Sequence, residues 1–258
     1  MKIRYVVILI YLIVLCSCSN QHAFVKDEFI QNSVAYEIKN RQAMHRFKDM
    51  KIGNEFEARK IRRSWTESYH FPFIFRFSGA KEKFSFIFVN SDTLNNKKFK
   101  AAVFCKEKIK EKELPDFIPY PFPLKYENNF SGRIINLNDT SDNASFLISE
   151  PPYIMFPEHI SEGNFTYKNR TFKIKGINSY KKKNGKPGFT GKMVGYEVYD
   201  ASDKQIMSVS CMNKGMVWID KNFENDIKPF LMALSSAMML KRDLKEEHQR
   251  TKSGFYVN

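Results

Sequence analysis

Five histidines, His22, His45, His70, His159 and His248, are scattered through the 258 residues with no H-x-x-x-H pair, and no C-x-x-C places thiolates at metal-ligating spacing. The chain has no G-x-S-x-G elbow and no phosphate-cradling glycine loop. His159 follows Glu158 beside Pro157, a pairing that could do acid/base work, but its setting reads as an exposed loop. Cys211 would need a histidine brought close in space to act as a nucleophile, and nothing local supplies one. Trp65 and Trp218 are expected to be packing residues. No catalytic, metal or cofactor site is therefore expected, and the chain reads as a non-enzyme. What the residue types do offer is positive charge in clusters. Arg59, Lys60, Arg62 and Arg63 form one run, and Lys181, Lys182, Lys183 and Lys186 form another around Asn184-Gly185. Both are candidates for contact with anions or a membrane surface, against the plainer alternative of a solvated face.

Overall charge points the same way. Lys and Arg number 42 against 28 Asp and Glu, a formal charge of +14, which favours anionic lipid, nucleic acid or acidic polymers as partners. The N-terminus narrows the choice. Lys2 and Arg4 precede an apolar stretch from Tyr5 to Leu15, the length of a signal-peptide core. The following Leu15-Cys16-Ser17-Cys18 resembles a bacterial lipobox, with small Ser17 before the cut and Cys18 as the lipidated residue. That resemblance implies residues 1–17 as a lipoprotein signal peptide, diacylglycerol and palmitate on Cys18, and a lipid-anchored place in the bacterial cell envelope. Two or three acyl chains anchor stably where one is marginal. Losing Lys2 and Arg4 lowers the charge from +14 to +12. Nucleic acid is not an expected partner outside the cytoplasm, whereas anionic lipid or an envelope polymer is. Cys105 and Cys211 remain, either bridged or as free, small hydrophobes.

The elements follow from periodicity. Residues 18–69 are expected to be a tether and helical segment, because Phe24, Phe29, Ile30, Val34 and Ile38 recur at loosely helical spacing over 24–48. From 70 to 245 a β-rich domain is expected, and 246–258 is a polar tail. Phe71, Phe73, Phe75 and Phe77 alternate with other residues, then Phe84, Phe86 and Phe88 do the same, so a hairpin turning at Ser78–Lys81 is expected. Phe99–Cys105 reads as a third strand. Pro115, Pro119, Pro121 and Pro123 mark a connector packed along the wall or, less simply, a ligand loop. Further strands are expected at 133–137, 145–149, 153–156, 165–168, 171–177, 195–200, 205–212 and 215–220, with tight turns at 200–204 and 213–215.

One stretch constrains the architecture. From Pro229 to Leu240 no side chain is charged, and only Ser235 and Ser236 break the apolar run. Ala, Leu and Met favour helix, Pro229 suits a first turn, and Asn225 or Asp226 could cap it. Lys241 and Arg242 suit the negative end of the helix dipole. Twelve residues rise only about 18 Å, too short for a bilayer, so a helix apolar all round must be enclosed by protein. Ile227, Phe230, Leu231, Leu234 and Met238 are the expected core positions.

The run G-Y-E-V-Y-D-A-S-D-K-Q-I-M-S-V-S from Gly195, then G-M-V-W-I-D from Gly215, then the apolar helix, resembles the end of tubby-like and LURP-one-related domains. The resemblance implies a mainly β fold, an antiparallel barrel of about ten to twelve strands with the C-terminal helix buried through its middle. A curved half-barrel or sandwich with the helix on one face is the alternative. Relatives of that kind include phosphoinositide binders and phospholipid-associated proteins, though no headgroup-binding residues can be transferred. The functional expectation is an envelope lipoprotein of binding or structural type that contacts anionic lipid or envelope components through its basic loops. The rival expectations are a carrier with an apolar cavity and an envelope hydrolase.

Overall fold

The computed structural model describes residues 21–41, 49–72, 75–90, 99–115, 123–152 and 158–245. A five-residue helix, α1 (Asp27–Gln31), precedes β1 (Ser33–Lys39), β2 (Met50–Ile52), β3 (Phe56–Arg63) and β4 (Glu67–Pro72). Three long strands follow, β5 (Arg76–Asn90), β6 (Lys100–Glu113) and β7 (Lys125–Asn136). Then come β8 (Asn143–Ser149), β9 (Glu162–Tyr167), β10 (Arg170–Ile177), and a separate two-stranded ribbon, β11 (Ser179–Lys181) and β12 (Pro187–Phe189). The strands β13 (Gly195–Tyr199), β14 (Gln205–Ser210) and β15 (Met216–Asp220) lead into helix α2 (Lys228–Leu240).

Neighbours in the main sheet run β3-β2-β1-β15-β14-β13-β10-β9-β8-β7-β6-β5, and β3 pairs back onto β5, closing twelve antiparallel strands into a barrel. Closure removes the open edges that a sheet of this size would otherwise expose. β4 is a thirteenth strand. It continues where β3 leaves off, pairing Glu67 through Pro72 with the first half of β5, whereas β3 pairs with its second half. The first half of β5, the second half of β6 and the start of β7 therefore outrun the wall and form, with β4, a sheet projecting from one mouth of the barrel.

α2 occupies the interior. Every residue from Phe230 to Leu240 is buried, as is Ile227. Phe230 packs on Phe99 and Tyr167, with ring centroids 4.9 and 4.6 Å away. Among the inward phenylalanines of the wall, Phe130 stacks on Phe84 at 6.1 Å and meets Phe146 at a tilt, 5.1 Å away. Ser235 and Ser236 donate to the Met232 carbonyl at 2.8 and 2.9 Å, so their hydroxyls need no outside partner. This is the tubby-like arrangement of a barrel around a C-terminal helix, and it replaces the alternative of a helix laid on one face. Among the described residues no helix is long and apolar enough to cross a membrane.

Several local expectations change. Of the helix expected over 24–48, the described residues up to Arg41 form only α1, and the next stretch is β1, in which Tyr36 and Ile38 face inward at period two while Val34 is exposed. Pairing of Ser33–Glu37 with Asp220–Met216 outweighs the weak helical spacing. Thus β1, β2 and β3 belong to the barrel and not to a tether. The hairpin expected at Ser78–Lys81 turns earlier, between Pro72 and Arg76, and β5 runs straight through Gly79. Tyr69 lies over Gly79, where a Cβ would come within 2.7 Å of the ring. α2 starts at an Ile227 N-cap with no side-chain cap, not at Asn225 or Asp226. Trp65 is 93% exposed, and only Trp218 is buried, edge-on to the His22 ring. The turn at 200–204 is as expected: Asp200 accepts from the Ser202 and Lys204 amides, and Asp203 takes a positive φ of 57°. Cys18, His45, His248, the proline connector from 116 to 122, the strand expected at 153–156 and the polar tail lie outside the described residues.

Candidate functional site

The two mouths of the barrel differ chemically. Around the first turn of α2 the surroundings are aromatic. Around its last turn they are ionic. Three carbonyls at the C-terminal end of α2 have no partner within the helix and are taken by side chains from elsewhere. Arg41, just past β1, donates to the Met239, Cys211 and Asn213 carbonyls, at 3.2 Å for Met239 and Asn213. Arg63, the last residue of β3, donates to the Leu240 carbonyl and pairs with Glu82 at 3.2 Å. The Cys211 thiol sits 3.9 Å from the Met238 carbonyl. Two guanidiniums at the negative end of a buried helix dipole do what Lys241 and Arg242 were expected to do.

Lys241 instead turns into the wall. Its Nζ lies 3.0 Å from Glu107 Oε1 and 2.8 Å from Glu150 Oε1, and all three side chains are at least nine-tenths buried. Glu150 also accepts from Asn128 Nδ2 at 3.0 Å and Tyr196 Oη at 3.3 Å, with Lys245 Nζ 3.8 Å away. Burial pushes both carboxyls up. For Glu150 the ammonium groups and donors win and hold it below the ordinary value; Glu107, left with Lys241 alone and repelled by Glu150, is raised to about 7. Lys241 is held well above its usual value, because Tyr196 and the two carboxylates outweigh the cost of burial.

Outside this cluster opens a cleft of about 550 Å³. Its walls include Arg41, Lys192, Arg242 and Lys245 beside Glu150 and Asp243, with Cys211, Tyr196 and Met238 at its apolar side. Cations outnumber carboxylates, and among the described residues the guanidinium of Arg41 is held by backbone carbonyls, which leave its positive charge uncancelled. The connector from β12 to β13 lines one wall through Gly191, Lys192 and Met193. The arrangement suits an anionic group.

The chain also enters at this mouth. Gln21 O accepts from Asn213 Nδ2 at 2.6 Å, the Ala23 amide donates to Ser210 Oγ at 2.9 Å, and the Phe24 amide to Ser179 O at 2.8 Å. These bonds pin residues 21–24 against β14 and the β11–β12 ribbon.

The basic candidates from the sequence fall on opposite sides of the ring, since β3 and β10 are six strands apart. Lys182, Lys183 and Lys186 are exposed at the tip of the β11–β12 ribbon, where Gly185 turns with a φ of 79°, while Lys181 pairs with Asp27 at 2.6 Å. Arg59 pairs with Glu57, and Lys60 bulges outward with a φ of 53°. Arg62 is exposed; Arg63 points inward over the Phe84 ring at 4.7 Å. Cys105 and Cys211 are free thiols, the first buried in the core, where desolvation raises it. Among the described residues no group of three or more His, Cys, Asp or Glu could hold a metal ion.

No family model, curated protein or solved structure matches this chain.

The sequence reading missed Arg41, Lys241 and Lys245 as one assembly, because their partners come from segments 90 to 200 residues away. It also missed a set that was legible. Lys106-Glu107-Lys108-Ile109-Lys110-Glu111-Lys112 alternates perfectly at period two, but the third strand was expected to stop at Cys105.

Proposed function

We propose that this chain is a lipid-anchored protein of the bacterial cell envelope, of binding type, whose ionic mouth faces the membrane and takes an anionic group there. The observation that carries the reading is the coincidence of the chain's entry with the basic cleft. Cys18 precedes Gln21 by three residues, which span about 10 Å at most. A lipid on Cys18 therefore holds the mouth, the cleft and the exposed Lys182, Lys183 and Lys186 within reach of headgroups. Each lysine near an anionic surface strengthens binding roughly fivefold. With α2 filling the barrel axis, the reading puts the ligand at the mouth and not inside.

The test uses vesicles of phosphatidylcholine with and without phosphatidylglycerol, and protein beginning at Ser19 so that no lipid anchor contributes. Binding should require phosphatidylglycerol, weaken with salt, and fall by about a hundredfold when Lys182, Lys183 and Lys186 become Gln. Binding indifferent to anionic lipid and salt would remove the electrostatic reading. A mass spectrum of the N-terminal peptide that shows no acyl chains on Cys18 would remove the anchor.

A further inference from the structure

The sheet that projects beyond the barrel wall has two unlike faces. On β6 the inward positions Glu107, Ile109 and Glu111 are buried, and the outward positions carry Lys106, Lys108, Lys110 and Lys112. Cross-strand neighbours widen the strip: Lys83 is opposite Lys106, Lys81 opposite Lys108, and Lys125 opposite Lys112. Of the acids on the same face, Glu67 pairs with Lys81, and Glu127 faces Lys110. The lysines crowd one another. The nearness of Lys110, with Lys106 adding repulsion, lowers the Lys108 ammonium below its ordinary value. At the upper end, Lys83, Lys106, Arg133, Ser131 and exposed Phe104 line a shallow depression of about 300 Å³. At the lower end, Lys112 Nζ lies 4.2 Å above the Phe75 ring.

Like charges stacked along one strand destabilise a sheet unless something outside neutralises them. The ladder is linear. Alternate residues of a strand repeat every ~6.8 Å, so four lysines cover about 20 Å. Two peptide units contain six backbone bonds. A polymer of three-carbon polyols joined by phosphodiesters also has six bonds per repeat, which when extended places its phosphates about 7 Å apart.

We propose that the outer face of β5–β7 binds such a linear phosphodiester polymer, with one phosphate at each of Lys106, Lys108, Lys110 and Lys112. A flat bilayer is the competing anionic partner, and the topology disfavours it. The chain enters beside β14, six strands around the ring from β6. Twelve strands spaced about 4.8 Å apart make a ring roughly 18 Å across before tilt widens it. A body lying with β6 on the membrane would lift Gln21 beyond the ~10 Å reach of an anchor at Cys18. This step rests on the anchor reading above; the charge spacing does not.

The test uses the full chain in neutral detergent micelles, with poly(glycerol phosphate) of about twenty repeats as the probe. Binding should weaken with salt, with a log–log slope near −3 for about four phosphates. Changing Lys106, Lys108, Lys110 and Lys112 to Gln should reduce affinity at least about tenfold at low salt and flatten the slope, with a thermal melt no lower than that of the wild type. The Lys182→Gln, Lys183→Gln, Lys186→Gln chain should bind the polymer as wild type does. Wild type that ignores the polymer, or a ladder variant that binds it equally well, overturns the proposal. So does a ladder variant that keeps the polymer but loses phosphatidylglycerol vesicles, because the face is then a bilayer contact. The acyl mass on Cys18 reports on the anchor alone, so its failure is separable from that of the ladder.

Discussion

Replacing Lys241 with Met leaves Glu107 and Glu150 buried without their shared ammonium, and the cost depends on pH in a way the geometry dictates. Breaking a buried ion pair by removing one partner costs about 3–5 kcal/mol, mostly as the penalty of stranded charge. In the wild type, Glu107 titrates near 7 when folded, above its unfolded value. It contributes stability at low pH, and that contribution is lost as pH rises from about 4.5 to 7. Glu150 titrates below its ordinary value, so its stabilisation is present above about 4.5 and is lost as pH falls through its folded value. Without Lys241 both carboxyls move up. At pH 5 the variant can protonate Glu107 and much of Glu150, and the deficit should be about 1–2 kcal/mol; at pH 8 both must ionise or hold protons against the solvent, and it should reach the full 3–5 kcal/mol. Urea unfolding at pH 5, 6.5 and 8 measures this directly. Adding Glu107→Gln and Glu150→Gln to Lys241→Met should recover most of the loss at pH 8, since amides need no counter-charge. A deficit equal at pH 5 and pH 8, or under about 1 kcal/mol at pH 8, would refute the buried triad.

Two further perturbations address the frame. Leu234, fully buried at mid-helix, should tolerate no charge: Leu234→Asp combines roughly 2–5 kcal/mol of lost packing with a buried carboxylate, against a total stability of about 5–15 kcal/mol. Soluble Leu234→Asp protein that unfolds cooperatively would mean that α2 is not enclosed. At Gly163 a Cβ would come within 2.2 Å of the Leu147 carbonyl, so Gly163→Ala should cost about 1–3 kcal/mol and lower the melting temperature by roughly 3–10 °C. A melt within one degree of wild type would show that β8 and β9 part more easily than their pairing implies.

How far the sequence could be read depended on the range of the interactions involved. The run from Pro229 to Leu240 announced an enclosed helix because an uncharged surface all round admits no other solution. Strands β9, β10, β13, β14 and β15 were legible because alternation and turn residues such as Asp200 and Gly215 are local signals. β1 was not, because only two of its residues, Tyr36 and Ile38, mark the inward face and its partner β15 lies some 180 residues on. The turn placed at Ser78–Lys81 failed for a related reason: Gly79 is small to admit Tyr69, a packing demand that looks like a turn signal in one dimension. The cationic runs were visible, but not their fates. Arg63 and Lys241 carry the same formal charge as Lys183, yet two of them are committed to buried carboxylates and only one is left to meet a ligand.

That division explains why the ionic groups collect at one end of the barrel. A helix enclosed by a closed sheet must present its last carbonyls somewhere, and in an apolar interior each would cost as much as a lost hydrogen bond. Arg41 and Arg63 meet that demand, but guanidiniums and a buried lysine bring charge into the wall, and Glu82, Glu107 and Glu150 answer it. Once those pairs are made, Arg242 and Lys245 find carboxylates only at longer range. Arg242 reaches Glu82 only at 3.9 Å, and Lys245 reaches Glu150 only at 3.8 Å. The surplus positive charge of the cleft is thus a consequence of how the helix is terminated. An acidic substitution such as Met193→Glu in the cleft wall should therefore weaken anion binding without loosening the cap on α2.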